Sequence, residues 1–240
     1  FNLKPDVAVV VLSIRALKSH GGVSAAQLAE FNPEAVRAGL SNLAKHVANL
    51  REVYQLPLVA AINKFPADHD REIEVVLEYC RREQIPVAIS EVVARGGEGG
   101  TELARRVLEV IAACENRFRP LYRPEYSITE QLALLATKIY GAAGVTYTNE
   151  ALKALEEIKA LGFDHLPVCV AKTQMSLSDQ PALKGAPQGW SLTVRDLKLA
   201  AGAGFVVALA GNILTMPGLP KKPAANQIDL APDGTITGLF

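Results

Sequence analysis

The chain has 240 residues, 49% of them hydrophobic and 21% charged, with 25 basic side chains balanced by 25 acidic ones. That length suits one large or two modest domains, and that composition predicts a packed core rather than disorder. Zero net charge gives no reason to expect a nucleic-acid-binding surface, and the three scattered cysteines, Cys80, Cys114 and Cys169, form neither a CxxC pair nor a Cys/His cluster.

The cysteine usage predicts a reduced, cytoplasmic chain with all three thiols buried as small hydrophobes. The opening stretch FNLKPDVAVVVLSI has no basic leader and no cleavage site, so no signal peptide is expected. The uncharged segment from Leu199 to Leu219 is long enough for a membrane helix. Its four glycines, Asn212 and Pro217 break it into short pieces, and it reads as a buried strand with Gly-rich turns.

In chain order, DVAVVVLSI (Asp6 to Ile14) is a continuous β-branched run, the pattern of a strand buried on both faces. NPEAVRAGLSNLAKHVANLREVY follows as a helix, with Asn32 as N-cap and Pro33 at the first helical position. LPLVAAIN is a second buried strand. DREIEVVLEYCRREQ is a helix with acids in its first turn and Arg81 and Arg82 near its end, matching the helix dipole. IPVAIS is a third strand and TELARRVLEVIAACE a third helix. This alternation predicts an α/β fold, a mostly parallel sheet with flanking helices joined by right-handed crossovers.

The pattern changes near Phe118. RFRPLYRPEYS is rich in proline and aromatics and marks a boundary, dividing the chain into an α/β part (1–118) and a smaller α+β part (119–240). SITEQLALLATKIYG carries a capping box, Ser127 with Glu130, and ends at Gly141; NEALKALEEIKALG is a second amphipathic helix ending at Gly162.

In a parallel sheet, ligands bind beyond the carboxyl ends of the strands. Three loops leave those ends. RALKSHGG offers Arg15 and Lys18 as candidate anion-binding residues, or it is a solvated basic turn. NKFPADHD presents Asn63, Lys64, Phe65 and Pro66. Phe65 is either a platform for a heteroaromatic ring, worth roughly 0.5–1.5 kcal/mol beyond burial, or a residue packed under the next helix. SEVVARGGEGG supplies Gly97 and Glu98: glycines admit a ligand close to the backbone and Glu98 can accept from a ring amino group, or the loop only leads into a helix. No GxxxxGK[ST] phosphate loop and no GxGxxG occurs. Lys172, Thr173 and Gln174 are either a site or a strand-end capping cluster; His46 reads as a structural mid-helix residue and Trp190 as a packing anchor rather than a ligand platform. The four histidines share no ligand spacing.

These stretches together resemble formate–tetrahydrofolate ligase. VLSIRALKSHGG is similar to the family signature V-A-T-[IV]-R-A-L-K-x-[HN]-G-G, with Leu12 and Ser13 in place of Ala and Thr. LPLVAAINKFPADHDREIE, LPVCVAKTQMSLSDQP, VRDLKLAAGAGF, TMPGLPKKPAANQIDL and the terminal ITGLF are also family-like. The resemblance spans essentially the whole chain and implies ATP-dependent ligation of formate to tetrahydrofolate through formyl phosphate. It implies Mg²⁺ with the ATP, activation by a monovalent cation (K⁺ or NH₄⁺) and a homotetramer. It implies that Phe65, beside Pro66, holds the folate ring; Val93 stands where the family usually has the Trp of the opposite wall. It also implies that the family's phosphate-binding loop lies in an N-terminal half absent from these residues, so that this chain needs that half as a partner. The alternative is a non-catalytic ligand-binding or assembly subunit that kept the fold.

Overall fold

Strands β1 (Ala8–Leu12), β2 (Leu58–Asn63) and β3 (Val87–Ser90) form a parallel sheet in the order β1-β2-β3. The structure is a computed structural model and describes residues 4–213 and 221–238. Between the strands lie α1 (Ile14–His20), α2 (Pro33–Ala48) and α3 (Asp70–Arg82). A short α4 (Val92–Arg95), a 3₁₀ turn at Gly96–Gly100 and α5 (Thr101–Ala113) follow β3.

The expected caps form. The Asn32 side chain accepts from the Ala35 N–H at 2.9 Å, and Pro33 occupies the first turn of α2, where a missing N–H costs nothing. One face of the sheet is sealed by α2 and α3: Leu12, Leu58, Ala60 and Ile62 pack with Val36, Leu40, Leu43, Val76 and Cys80.

The first strand departs from expectation. Leu12 is buried, but Val9 is 41% and Val11 66% exposed. In register, Val9 and Val11 pair with Val59 and Ala61, which are fully covered, so the four share a face. α5 packs mainly on β2 and β3. The residues are therefore apolar on both faces of β1, as the sequence says, while among the described residues the Val9/Val11 face is left exposed. Two further expectations change. The predicted loop RALKSHGG is mostly helix, α1, because Ser13 caps it by accepting from the Ala16 N–H at 3.2 Å. Cys80 is buried, with its thiol pushed up to about 11 by burial, but Cys114, just past the end of α5, and Cys169, next to buried Val168 in a strand and so on its other face, are exposed.

Beyond residue 118, α6 (Ile128–Leu134) opens with the capping box: the Ser127 N–H donates to Glu130 Oε2 at 2.8 Å and the Glu130 N–H to Ser127 Oγ at 3.4 Å. Strands β4 (Gly144–Tyr147), β5 (Val168–Ala171), β6 (Ser191–Ala200) and β7 (Phe205–Ala210), with α7 (Asn149–Ala160), make a mixed sheet in the order β4-β6-β7-β5. Its core gathers Ile128, Leu132, Ile158, Val194 and Val206. Trp190 is buried beside Leu192 and Ala136, the anchor the sequence suggested. A two-stranded ribbon, β8 (Asp229–Leu230) with β9 (Ile236–Thr237), closes the described chain.

The uncharged segment from Leu199 is the end of β6, a tight turn and β7; its residues 214–219 lie outside the described residues, as do parts of TMPGLPKKPAANQIDL and of ITGLF. Among the described residues no helix is long and apolar enough to cross a membrane.

Candidate functional site

The parallel register brings Leu12, Asn63 and Ser90 to the same edge of the first sheet, so the three loops leave it side by side. The middle loop is the most built. Asp68 accepts the Phe65 N–H at 2.9 Å while its own N–H donates to the Phe65 carbonyl at 3.0 Å. This closed turn leaves the Phe65 ring half-buried and Pro66 exposed. Asp68 thus sets the pose of Phe65. The sequence singled out Phe65 but not Asp68; an Asp three residues after the aromatic, able to close an Asx-type turn, was the available signal.

Lys64 ties the middle loop to the third. Its N–H donates to the Ser90 carbonyl at 2.9 Å, and its ammonium lies 3.2 Å from Asp70 and 3.8 Å from Glu91. Asn63 ends β2 with its side-chain oxygen buried and, among the described residues, without a partner. A buried acceptor costs free energy unless something donates to it, so this atom fits a donor arriving from a ligand, such as a ring amino group.

In the third loop the Glu91 N–H bonds the Gly99 carbonyl at 3.0 Å, folding α4 and the glycines into a closed knuckle. A Cβ on Gly99 would sit 2.5 Å from the Glu91 carbonyl oxygen, so only glycine closes it. Val92 and Val93 are exposed on α4, Gly97 is exposed, and Glu98 points outward, 4.0 Å from Arg95. Val93 thus offers an aliphatic surface on the loop that Lys64 fastens to the Phe65 turn.

The two residues of the first loop part company. Arg15 is exposed in the first turn of α1. Lys18 points inward, 2% exposed: its ammonium is 3.1 Å from Glu72 and 2.8 Å from the Glu30 carbonyl. Glu72 also accepts the Asn32 N–H at 2.7 Å. Lys18 therefore holds α1, α3 and the entry to α2 together, and its charge is neutralised there. The same entry carries Phe31, 48% exposed, whose ring meets His69 edge-on at 5.2 Å just before α3. No sequence pattern marks this aromatic beside the Phe65 loop.

The loop after β5 is a capping cluster. Lys172 is desolvated, which lowers its pKa, and donates to the carbonyls of Thr173 at 3.0 Å and Ser178 at 3.2 Å, and to that of Ser176. Among the described residues no group of three or more His, Cys, Asp or Glu side chains gathers where a metal could sit. The family model described as formate–tetrahydrofolate ligase matches residues 1–240.

Proposed function

The chain belongs to the formate–tetrahydrofolate ligase family, and from that premise we propose that it carries the family's ring-binding edge, where Phe65 and Pro66 form one wall for the folate and Val93 the other. The observation that carries this reading is the Asp68-closed turn, which presents a half-buried Phe65 at the carboxyl edge of a parallel sheet. Lys64 holds the opposing loop in place, the orphan oxygen of Asn63 suits a ring amino donor, and Gly97 and Glu98 give the third loop its close approach and a second acceptor.

In this reading ATP and formate react first. A formate oxygen attacks the γ-phosphorus, ADP leaves, and formyl phosphate forms. The folate amine then attacks the formyl carbon and phosphate departs. The chain's own part is to bind and orient the ring; Arg15, exposed at the first loop, supplies positive charge toward the phosphates. Lys18 contributes only through the loop it braces. No Walker-type loop occurs in the sequence, which supports assigning the cradle for the transferred phosphates to the family's N-terminal half. The uncovered face of β1, with exposed Val9 and Val11, supports a partner portion of the same enzyme, within a homo-oligomer, packed there.

The test has two parts. Phe65→Ala should weaken tetrahydrofolate binding about tenfold while leaving the thermal midpoint nearly unchanged, since loss of stacking and burial of one ring is worth on the order of 1–3 kcal/mol; unchanged affinity rejects the ring assignment. The isolated 240-residue chain should not turn over. Restored ligation on adding the upstream half of the enzyme supports a catalytic portion, and absence of any complex favours a non-catalytic binding subunit.

A further inference from the structure

Far from the three loops, a cleft of about 860 Å³ opens between the end of α2, the segment 119–126 and the end of the helix that begins as α6. Both helix ends that frame it are widened into π turns, Asn49–Val53 and Leu135–Tyr140. The Tyr54 N–H, for example, reaches back five residues to the Asn49 carbonyl at 3.1 Å. Such turns are rare and concentrate at functional sites.

The charge of the lining is one-sided. Lys45, Arg119, Arg123 and Lys138 face a single acid, Glu52, in a chain whose total charge is zero. Lys45 is spent: it donates to Asn49 Oδ1 at 2.9 Å and to the Lys138 carbonyl at 2.6 Å. Arg119 is half-spent, with its Nε 3.4 Å from the Val53 carbonyl. Arg123 and Lys138 make no ion pair among the described residues. The frame is stiff, because Pro120 and Pro124 restrict the segment and the Arg119 N–H fastens it to the Tyr54 carbonyl at 3.0 Å. Unpaired cations on a fixed concave surface have the chemistry of an anion receptor, and the volume suits a metabolite-sized ligand.

The cleft is not part of the ring-binding edge. α2 ends at the amino side of the sheet, where β2 begins, whereas Phe65 follows the carboxyl end of β2. The six residues of that strand separate the two by about 20 Å at roughly 3.3 Å per residue. We propose that this cleft is a second ligand site, one that takes a phosphate or oligophosphate group between Arg119, Arg123 and Lys138.

Titration of the 240-residue chain with pyrophosphate, followed by calorimetry, tests this. The wild type should bind, with affinity falling as salt is raised. The double variant R123Q/K138Q, altered only at exposed side chains, should bind at least about tenfold more weakly, since each lost contact to a charged group is worth that much. Lys153→Gln, which removes an exposed cation of α7 that does not line the cleft, should bind as the wild type does. A parallel titration with ATP identifies the source: equal affinity indicates a free oligophosphate, and tighter binding that is also lost in R123Q/K138Q indicates a nucleotide. No pyrophosphate binding by the wild type overturns the proposal. So does binding that survives in R123Q/K138Q, or binding that is weakened equally in Lys153→Gln.

Discussion

Lys18 and Glu72 form a buried pair that braces three elements, and its cost structure is asymmetric. Both charges are desolvated, and each is satisfied by the other plus one backbone group, the Glu30 carbonyl for Lys18 and the Asn32 N–H for Glu72. Removing one partner leaves the other charge buried and alone, which typically costs about 3–5 kcal/mol. Lys18→Met should therefore lower the urea midpoint strongly, and restoring neutrality with K18M/E72Q should recover part of the loss. A single variant that unfolds like the wild type would remove the pair from the account of stability. At the same scale His20 is set by a donor. Its Nδ1 accepts the Gly185 N–H at 3.3 Å, so the ring must be neutral at that nitrogen. Burial, then Lys184 and His46, hold its pKa below 6.5; burial, then Lys172 and Lys45, do the same for His46. Both histidines thus bind protons more readily when unfolded. Their contribution to stability is complete above about pH 6.5 and is lost as pH falls from there toward the lower folded values. In H20N/H46Q the decline of the thermal midpoint between about pH 6.5 and 5 should flatten, and an unchanged decline would assign it to other groups.

At the scale of elements, two glycines mark where backbones touch. A Cβ on Gly39 of α2 would lie 2.0 Å from the Leu17 carbonyl oxygen of α1, and Gly99 meets the Glu91 carbonyl in the same way. Gly39→Ala must push α1 off α2 and should destabilise by about 1–3 kcal/mol or more. Gly99→Ala should open the knuckle of the third loop and weaken ring binding while the midpoint moves much less; if the midpoint falls and ligand affinity does not, Gly99 serves the fold rather than the site. The elements themselves were legible because each is locally over-determined. Asn32 and Pro33 start α2, Ser127 and Glu130 start α6, and Gly141 and Gly162, with φ of 78° and 79°, end their helices. Phe65 was legible for the same reason, standing where a buried strand stops. What escaped was non-local. Lys18 looks like a loop cation until Glu72, 54 residues away, is brought beside it. The exposure of Val9 and Val11 depends on which strands α5 packs on, and Asp68 matters only because its side chain turns back onto Phe65. Neither π turn has a residue pattern that distinguishes it from an ordinary helix end.

At the scale of the whole molecule, α2 is the spine that joins the two sheets. On one side it packs into the first core; from its other side three polar side chains reach carbonyls of the second half. Asn42 donates to Gly185 at 3.0 Å, Lys45 to Lys138 at 2.6 Å and Asn49 to Ile139 at 2.9 Å. The last two carbonyls belong to the end of a helix, where no intrahelical donor remains and the dipole is negative, so a cation and an amide are suited to them. Asn49 is only 5% exposed, and a hydrogen bond of this kind contributes about 0.5–1.5 kcal/mol net. Neither core uses these side chains, so K45M/N49L should leave both halves folded and weaken the coupling between them. The chain's single tryptophan, Trp190, lies in the second core and reports on that half alone. In the wild type the Trp190 fluorescence transition should coincide with that of far-UV circular dichroism, the mark of one cooperative unit. In K45M/N49L the fluorescence transition should move to lower denaturant and separate from the main dichroism transition. If the two remain coincident, the coupling resides instead in the contacts of Gly185 with His20 and Asn42, and H20A/N42A should split them.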